Sequence, residues 1–147
     1  MKFIKNKSIG FICGSQHLYG EKVIETVSNN VKKIISNLNK SKKIPVPINY
    51  TKVVTSSEEI LKTCSDLSNN KECIGVIIWM HTFSPSKMWI SGLKKLTLPI
   101  CHLHTQFNKE IPWSKINMDF MNINQSAHGD REFSHLLSRM NISRKIV

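Results

Sequence analysis

Residues 73–80, Cys-Ile-Gly-Val-Ile-Ile-Trp-Met, form an apolar run without a single charge. It is far too short to cross a membrane, which takes roughly 20 apolar residues. A strand with one wet face would alternate apolar and polar positions, and this run does not. It therefore reads as a central strand of a parallel sheet, covered on both faces. Parallel neighbours cannot be joined by a tight hairpin; they need long crossovers, usually helices. One run thus predicts a chain that alternates strand and helix.

The alternation is there on both sides. Ser8–Cys13 reads as a first strand. Glu21–Asn39 then places Val23, Ile24, Val27, Val31, Ile34, Ile35 and Leu38 on one helical face. After a Lys/Ser/Pro loop, Ile48–Val54 is β-branched and reads as strand two. Ser56-Ser57-Glu58-Glu59 predicts a capping box, with Ser56 as N-cap and Glu59 reaching back to the Ser56 backbone. Ile60, Leu61, Cys64 and Leu67 line the helix that follows. A further helix is expected to begin near Ser84 to Ser86, capped by Ser84 with Pro85 in its first turn. Pro99–Leu103 is strand four, and residues 104–118 read as a long polar loop. A last helix carries Phe133, Leu136, Leu137 and Met140, and Lys145-Ile146-Val147 opens a fifth strand. The prediction is one α/β domain over residues 1–147: an open parallel sheet with helices on both faces, Rossmann- or flavodoxin-like, that stops at the start of strand five. No internal repeat or low-complexity linker interrupts it.

In open α/β sheets ligands bind beyond the carboxyl ends of the strands. The loops with unusual polar content, after strands one, three and four, all fall at that edge. The first is Gly14-Ser15-Gln16-His17-Leu18-Tyr19-Gly20, whose glycines permit a tight turn. Its amide, imidazole and phenol can all hydrogen-bond a polar ligand. Its spacing is wrong for a phosphate-binding loop, Glu21 would oppose a phosphate, and no G-x-G-x-x-G occurs. A neutral polyol suits Gln16, His17 and Tyr19 better; a plain turn is the blander alternative. His102 and His104 share a face of strand four, and with His81 they raise the question of a metal. No carboxylate lies at convincing spacing, so hydrogen-bonded histidines at a sheet edge are the expectation. Gln125–Glu132 gathers Gln, His, Asp, Arg and Glu at the start of the last helix; Ser126 or Asp130 is expected to cap it, with Arg131 and Glu132 solvated. No nucleophilic triad can be argued from residue order.

Charge needs one comment. The net charge of +11 suggests nucleic acid, but 18 of the 21 basic residues are Lys and they are dispersed, whereas bidentate phosphate contacts favour Arg. Lys, Asn and Ile make up 50 of the 147 residues; all three have AT-rich codons, so coding bias explains the excess. Neither nucleic acid nor membrane is an expected partner. Cys13, Cys64, Cys73 and Cys101 show no C-x-x-C spacing, and three lie within apolar runs, which fits a reducing cytoplasm. No signal-peptide core follows the early lysines.

Taken together, five stretches resemble the amino-terminal domain of bacterial L-arabinose isomerases, in the family's order. They are Gly14–Gly20, Trp79–Ile90 (Trp-Met-His-Thr-Phe-Ser-Pro-Ser-Lys-Met-Trp-Ile), His104-Thr105-Gln106-Phe107-Asn108, Met118-Asp119-Phe120-Met121-Asn122 and Asn124–Phe133. The similarity runs from about Ile9 to Val147. It implies an aldose–ketose isomerase interconverting L-arabinose and L-ribulose through an enediol, with carboxylates as acid and base and a divalent metal, usually manganese. It also implies homo-hexamers in which the amino-terminal domain lends its first loop to a neighbour's site. By motif match, Gln16, Leu18, Tyr19 and His128 would contact the sugar. The family's catalytic groups and metal ligands, two glutamates and two histidines, lie in a carboxyl-terminal part that these 147 residues do not include. The expectation is therefore a fragment without catalytic or metal-binding residues of its own. Its partners would be other copies or a carboxyl-terminal part of the same enzyme. An inactive remnant and a stand-alone binding module are the alternatives.

Overall fold

The computed structural model describes residues 4–147. Five parallel strands, β1 (Ser8–Gly14), β2 (Ile48–Val54), β3 (Cys73–Trp79), β4 (Ile100–His102) and β5 (Arg144–Ile146), lie in the order β2-β1-β3-β4-β5. Of the two common doubly wound orders this is the flavodoxin-like one. The chain steps one way from β1 to β2, then the other way through β3, β4 and β5. Because such crossovers are right-handed, the reversal places helices on opposite faces. Helix α1 (Glu21–Asn39) covers one; α2 (Ser57–Asn69), α3 (Ile90–Lys95) and α5 (Ser126–Arg139) cover the other.

The period of two along each strand sorts the core accordingly. Phe11, Cys13 and Trp79 pack with Val27, Val31 and Ile35 of α1. Ile12, Val76 and Ile78 pack with Ile60, Cys64, Leu93, Phe133 and Leu137. The run that fixed the fold in the sequence is the middle strand, with β1 on one side and β4 on the other.

Helix α1 and β2 fall where the apolar spacing places them, and β5 pairs with β4 in parallel. Three local expectations change. The Ser56 side chain does accept the Glu59 N–H, but the Glu59 carboxylate reaches Thr55 rather than Ser56, taking both its N–H and its hydroxyl at 2.8 and 2.9 Å. Lys52 grips the other Glu59 oxygen; burial alone would raise this carboxyl, yet the ammonium and the Thr55 donors hold it down at about 2. Ser84 caps nothing. Its hydroxyl accepts the Trp89 indole N–H at 3.0 Å, and the chain enters α3 through a 3-10 turn, Ser86–Trp89. Finally, the loop before α5 holds a further short helix, α4 (Met118–Ile123), capped by the Asn117 side chain on the Phe120 N–H. No apolar face announces α4, because Met118 and Met121 are exposed.

Candidate functional site

The strand order reverses between β1 and β3, so the crevice beyond their carboxyl ends is where a doubly wound sheet binds ligands. Three segments meet there: the loop after β1, the loop after β3 and the first turn of α5. Close packing joins them. Ser15 and Thr82, both fully buried, share a hydrogen bond of 2.8 Å from the Thr82 hydroxyl. Gly14 has no room for a side chain, because a Cβ there would run into Met80 and Ser84. Gly129 is in the same position, with Met80 Cβ 2.9 Å and Thr82 O 3.0 Å from where its Cβ would stand.

The first loop turns outward from this crowded base. His17–Tyr19 forms a 3-10 turn, and Gly20 leaves it at φ 78°, a conformation that favours glycine. His17 Nε2 lies 2.9 Å from the Thr55 hydroxyl, so this imidazole is tied to the end of β2. Gln16 and Tyr19 are half-buried, and Leu18 is 85% exposed at the tip.

The first turn of α5 is held from the inside. The His81 carbonyl accepts the Gln125 N–H at 3.1 Å and the Ser126 hydroxyl at 3.4 Å. Asp130, expected as a cap, points inward instead. Its Oδ1 accepts the Met80 N–H at 3.1 Å and the His102 Nε2–H at 2.9 Å. A carboxylate oxygen that already takes a backbone N–H can only accept, so His102 carries its proton on Nε2. Burial pushes the Asp130 carboxyl upward, while the hydrogen bonds from His102 and the Met80 N–H draw it back. Glu132, expected in solvent, accepts the Ser86 N–H at 3.0 Å. His128 sits on the exposed side of the turn, its ring 4.7 Å from that of Phe83. It borders a cavity of about 510 Å³ with Gln106, Ile116, Met118, Met121 and Gln125.

His128 and the first loop therefore rise from one base, but Gln16, Leu18 and Tyr19 do not line the cavity that His128 borders. The histidines weighed as metal ligands are divided. His81 stacks on Trp79 and binds Asn30 of α1 at 2.9 Å, whereas His102 packs edge-on to Phe133 of α5. His104 stacks beside His102, 5.9 Å between centroids, and is exposed. Asn30 Nδ2 donates to His81, so that imidazole is neutral; burial lowers it to about 4. Among the described residues no group of three or more His, Cys, Asp or Glu side chains is arranged to hold a metal. His81 and His102 are committed to separate buried partners, Asn30 and Asp130. Cys13 and Cys64 do not offer a nucleophile, because burial drives their thiols up to about 12. No described helix is long and apolar enough to cross a membrane.

Sequence reasoning missed the two buried histidine pairs. His102 and Asp130 are 28 residues apart and Asn30 and His81 are 51 apart, so no local spacing marks them; the one hint is a histidine inside an apolar strand.

Comparison with known proteins completes the description. Residues 3–147 match the family described as "L-arabinose isomerase N-terminal domain". The L-arabinose isomerase of Clostridium beijerinckii is 58% identical over 144 residues, which is 98% of this chain and 29% of that protein. That of Vibrio parahaemolyticus is 52% identical over all 147 residues, 30% of its own length. That of Geobacillus stearothermophilus is 52% identical over 137 residues, 93% of this chain and 28% of that protein. The chain spans less than a third of the length of these relatives.

Proposed function

The chain belongs to the L-arabinose isomerase amino-terminal domain family, and from that premise we propose that it supplies sugar-contacting loops to an L-arabinose isomerase. The reaction is the interconversion of L-arabinose and L-ribulose by proton transfer between neighbouring carbons through an enediol. The match along residues 3–147 carries this reading. The carboxylates that move the proton and the divalent ion, manganese, belong to a carboxyl-terminal part, and the assembly is a homo-oligomer, a hexamer, of the cytoplasm.

The division of labour within this chain follows from side-chain chemistry. The Gln16 amide both donates and accepts, which suits vicinal hydroxyls; Tyr19 and His128 add a phenol and an imidazole. Leu18 offers an apolar surface to the carbon face of a sugar. Its exposure supports this role, since a leucine left 85% exposed at a loop tip is placed to meet another surface.

The test is complementation. Mixed with a carboxyl-terminal portion of a relative, the chain should restore manganese-dependent isomerisation, and alone it should show none. In the restored enzyme Gln16→Ala should raise the KM for L-arabinose about tenfold, the worth of one or two hydrogen bonds. Turnover by the 147-residue chain alone, or an unchanged KM in Gln16→Ala, would count against the proposal.

A further inference from the structure

We infer that the buried His102–Asp130 pair is a positioning device for His128, fixing where its imidazole stands at the site edge; this rests on the sugar-contact reading above. Both side chains are fully buried. One oxygen, Asp130 Oδ1, joins three segments: its own helix α5, the end of β4 through His102, and Met80, from which the loop carrying Phe83 departs. The His128 ring lies against Phe83, so the two rings are carried by segments that share this oxygen. Gly129, packed on Met80 and Thr82, leaves α5 no room to slide.

The pair is an expensive way to fill a core. Among the described residues, Asp130 Oδ2 and His102 Nδ1 are buried without partners, and an apolar pair of similar volume is often as stable as a buried polar one. What an apolar pair cannot supply is direction. Leucine at 102 would fill the space beside Phe133 but would leave the α5 carboxylate with one donor, free to turn toward Met80. His102 and Asp130 do not line the cavity that His128 borders, so they act through His128 and are positioning residues.

The decisive comparison is His102→Leu against His102→Gln, because glutamine can return an N–H donor to Asp130. By NMR on this chain, His102→Leu should lose the nuclear Overhauser contact between the Phe83 and His128 rings, and His102→Gln should keep it. In the complemented enzyme His102→Leu should raise the KM for L-arabinose about tenfold with kcat within about twofold, since a misplaced contact group weakens binding steeply; His102→Gln should restore it. A role in packing alone reverses the order, with leucine the milder change. A ring contact that survives in His102→Leu overturns the inference whatever the KM does. Should that variant not fold, the wild-type imidazole spectrum decides: protonation at Nε2 supports the pair, and protonation at Nδ1 alone overturns it. If His128→Ala leaves KM unchanged, the sugar-contact reading falls while the ring contact still judges the positioning.

Discussion

The first loop and the first turn of α5 stand on the same buried base, yet they are built in opposite ways. Among the described residues, Gln16–Gly20 makes one side-chain hydrogen bond to the rest of the fold, from His17 to Thr55, and ends in an exposed leucine. The start of α5 is pinned through Gln125, Ser126, Asp130 and Glu132 to the backbone of Met80, His81 and Ser86 after β3, and through Asp130 again to β4. The difference separates two ways of making a site. A group that must act where its own chain puts it needs a rigid support, whereas a group that completes its contacts on another surface can be left outward and lightly held. On the proposed reading, His128 is prepositioned and Leu18 is presented.

The comparison can be broken at three points. The largest effect should come from acid, through His81, whose carbonyl supports α5 and whose ring is anchored to α1. Its folded imidazole stays neutral down to about 4, while the unfolded chain takes up the proton near 6.5. The His81 contribution to stability should therefore be flat above pH 6.5, fall by about 3 kcal/mol as pH drops to 4, and level off below, where protonation of Glu59 continues the decline. Denaturant titrations across this range check it, and the slope should vanish in His81→Gln. A slope that persists there would assign the acid sensitivity to other groups.

Next is Gly129→Ala. The new methyl meets Met80 Cβ and the Thr82 carbonyl, an overpacking that should cost about 1–3 kcal/mol, offset in part by up to about 1 kcal/mol of helix propensity. Thermal unfolding reads the balance. A stabilised variant would show that the α5 turn has slack and is not tightly pinned. The smallest effect on stability should be Leu18→Ala, within about 0.5 kcal/mol, as expected of a surface side chain without contacts. A loss of 2 kcal/mol would mean that the first loop is held by its own chain after all, and the contrast would disappear.

Much of this was legible from residue order. The apolar run at Cys73–Met80, the spacing along Glu21–Asn39 and the β-branched stretch at Ile48–Val54 dictated a parallel α/β sheet, since each depends only on neighbours in the chain. The same patterns put the polar loops at one edge, and the five motif stretches gave the family. The short helix Met118–Ile123 was not legible, because six residues with exposed methionines carry no apolar face to read. Nor was the inward turn of Asp130: next to Gly129 and Arg131 it has the composition of a capping segment, and only the close approach of α5 to Met80 aims it at the core.

What the sequence settled was therefore what most segments become and at which edge of the sheet the polar loops gather. Tertiary structure alone decided which polar groups meet. His102 finds Asp130, and His81 finds Asn30, across separations that no local periodicity spans. Most buried polar groups find at least one partner, wherever the packing brings a donor and an acceptor together. That requirement is met in space, so it leaves no mark on the order of residues.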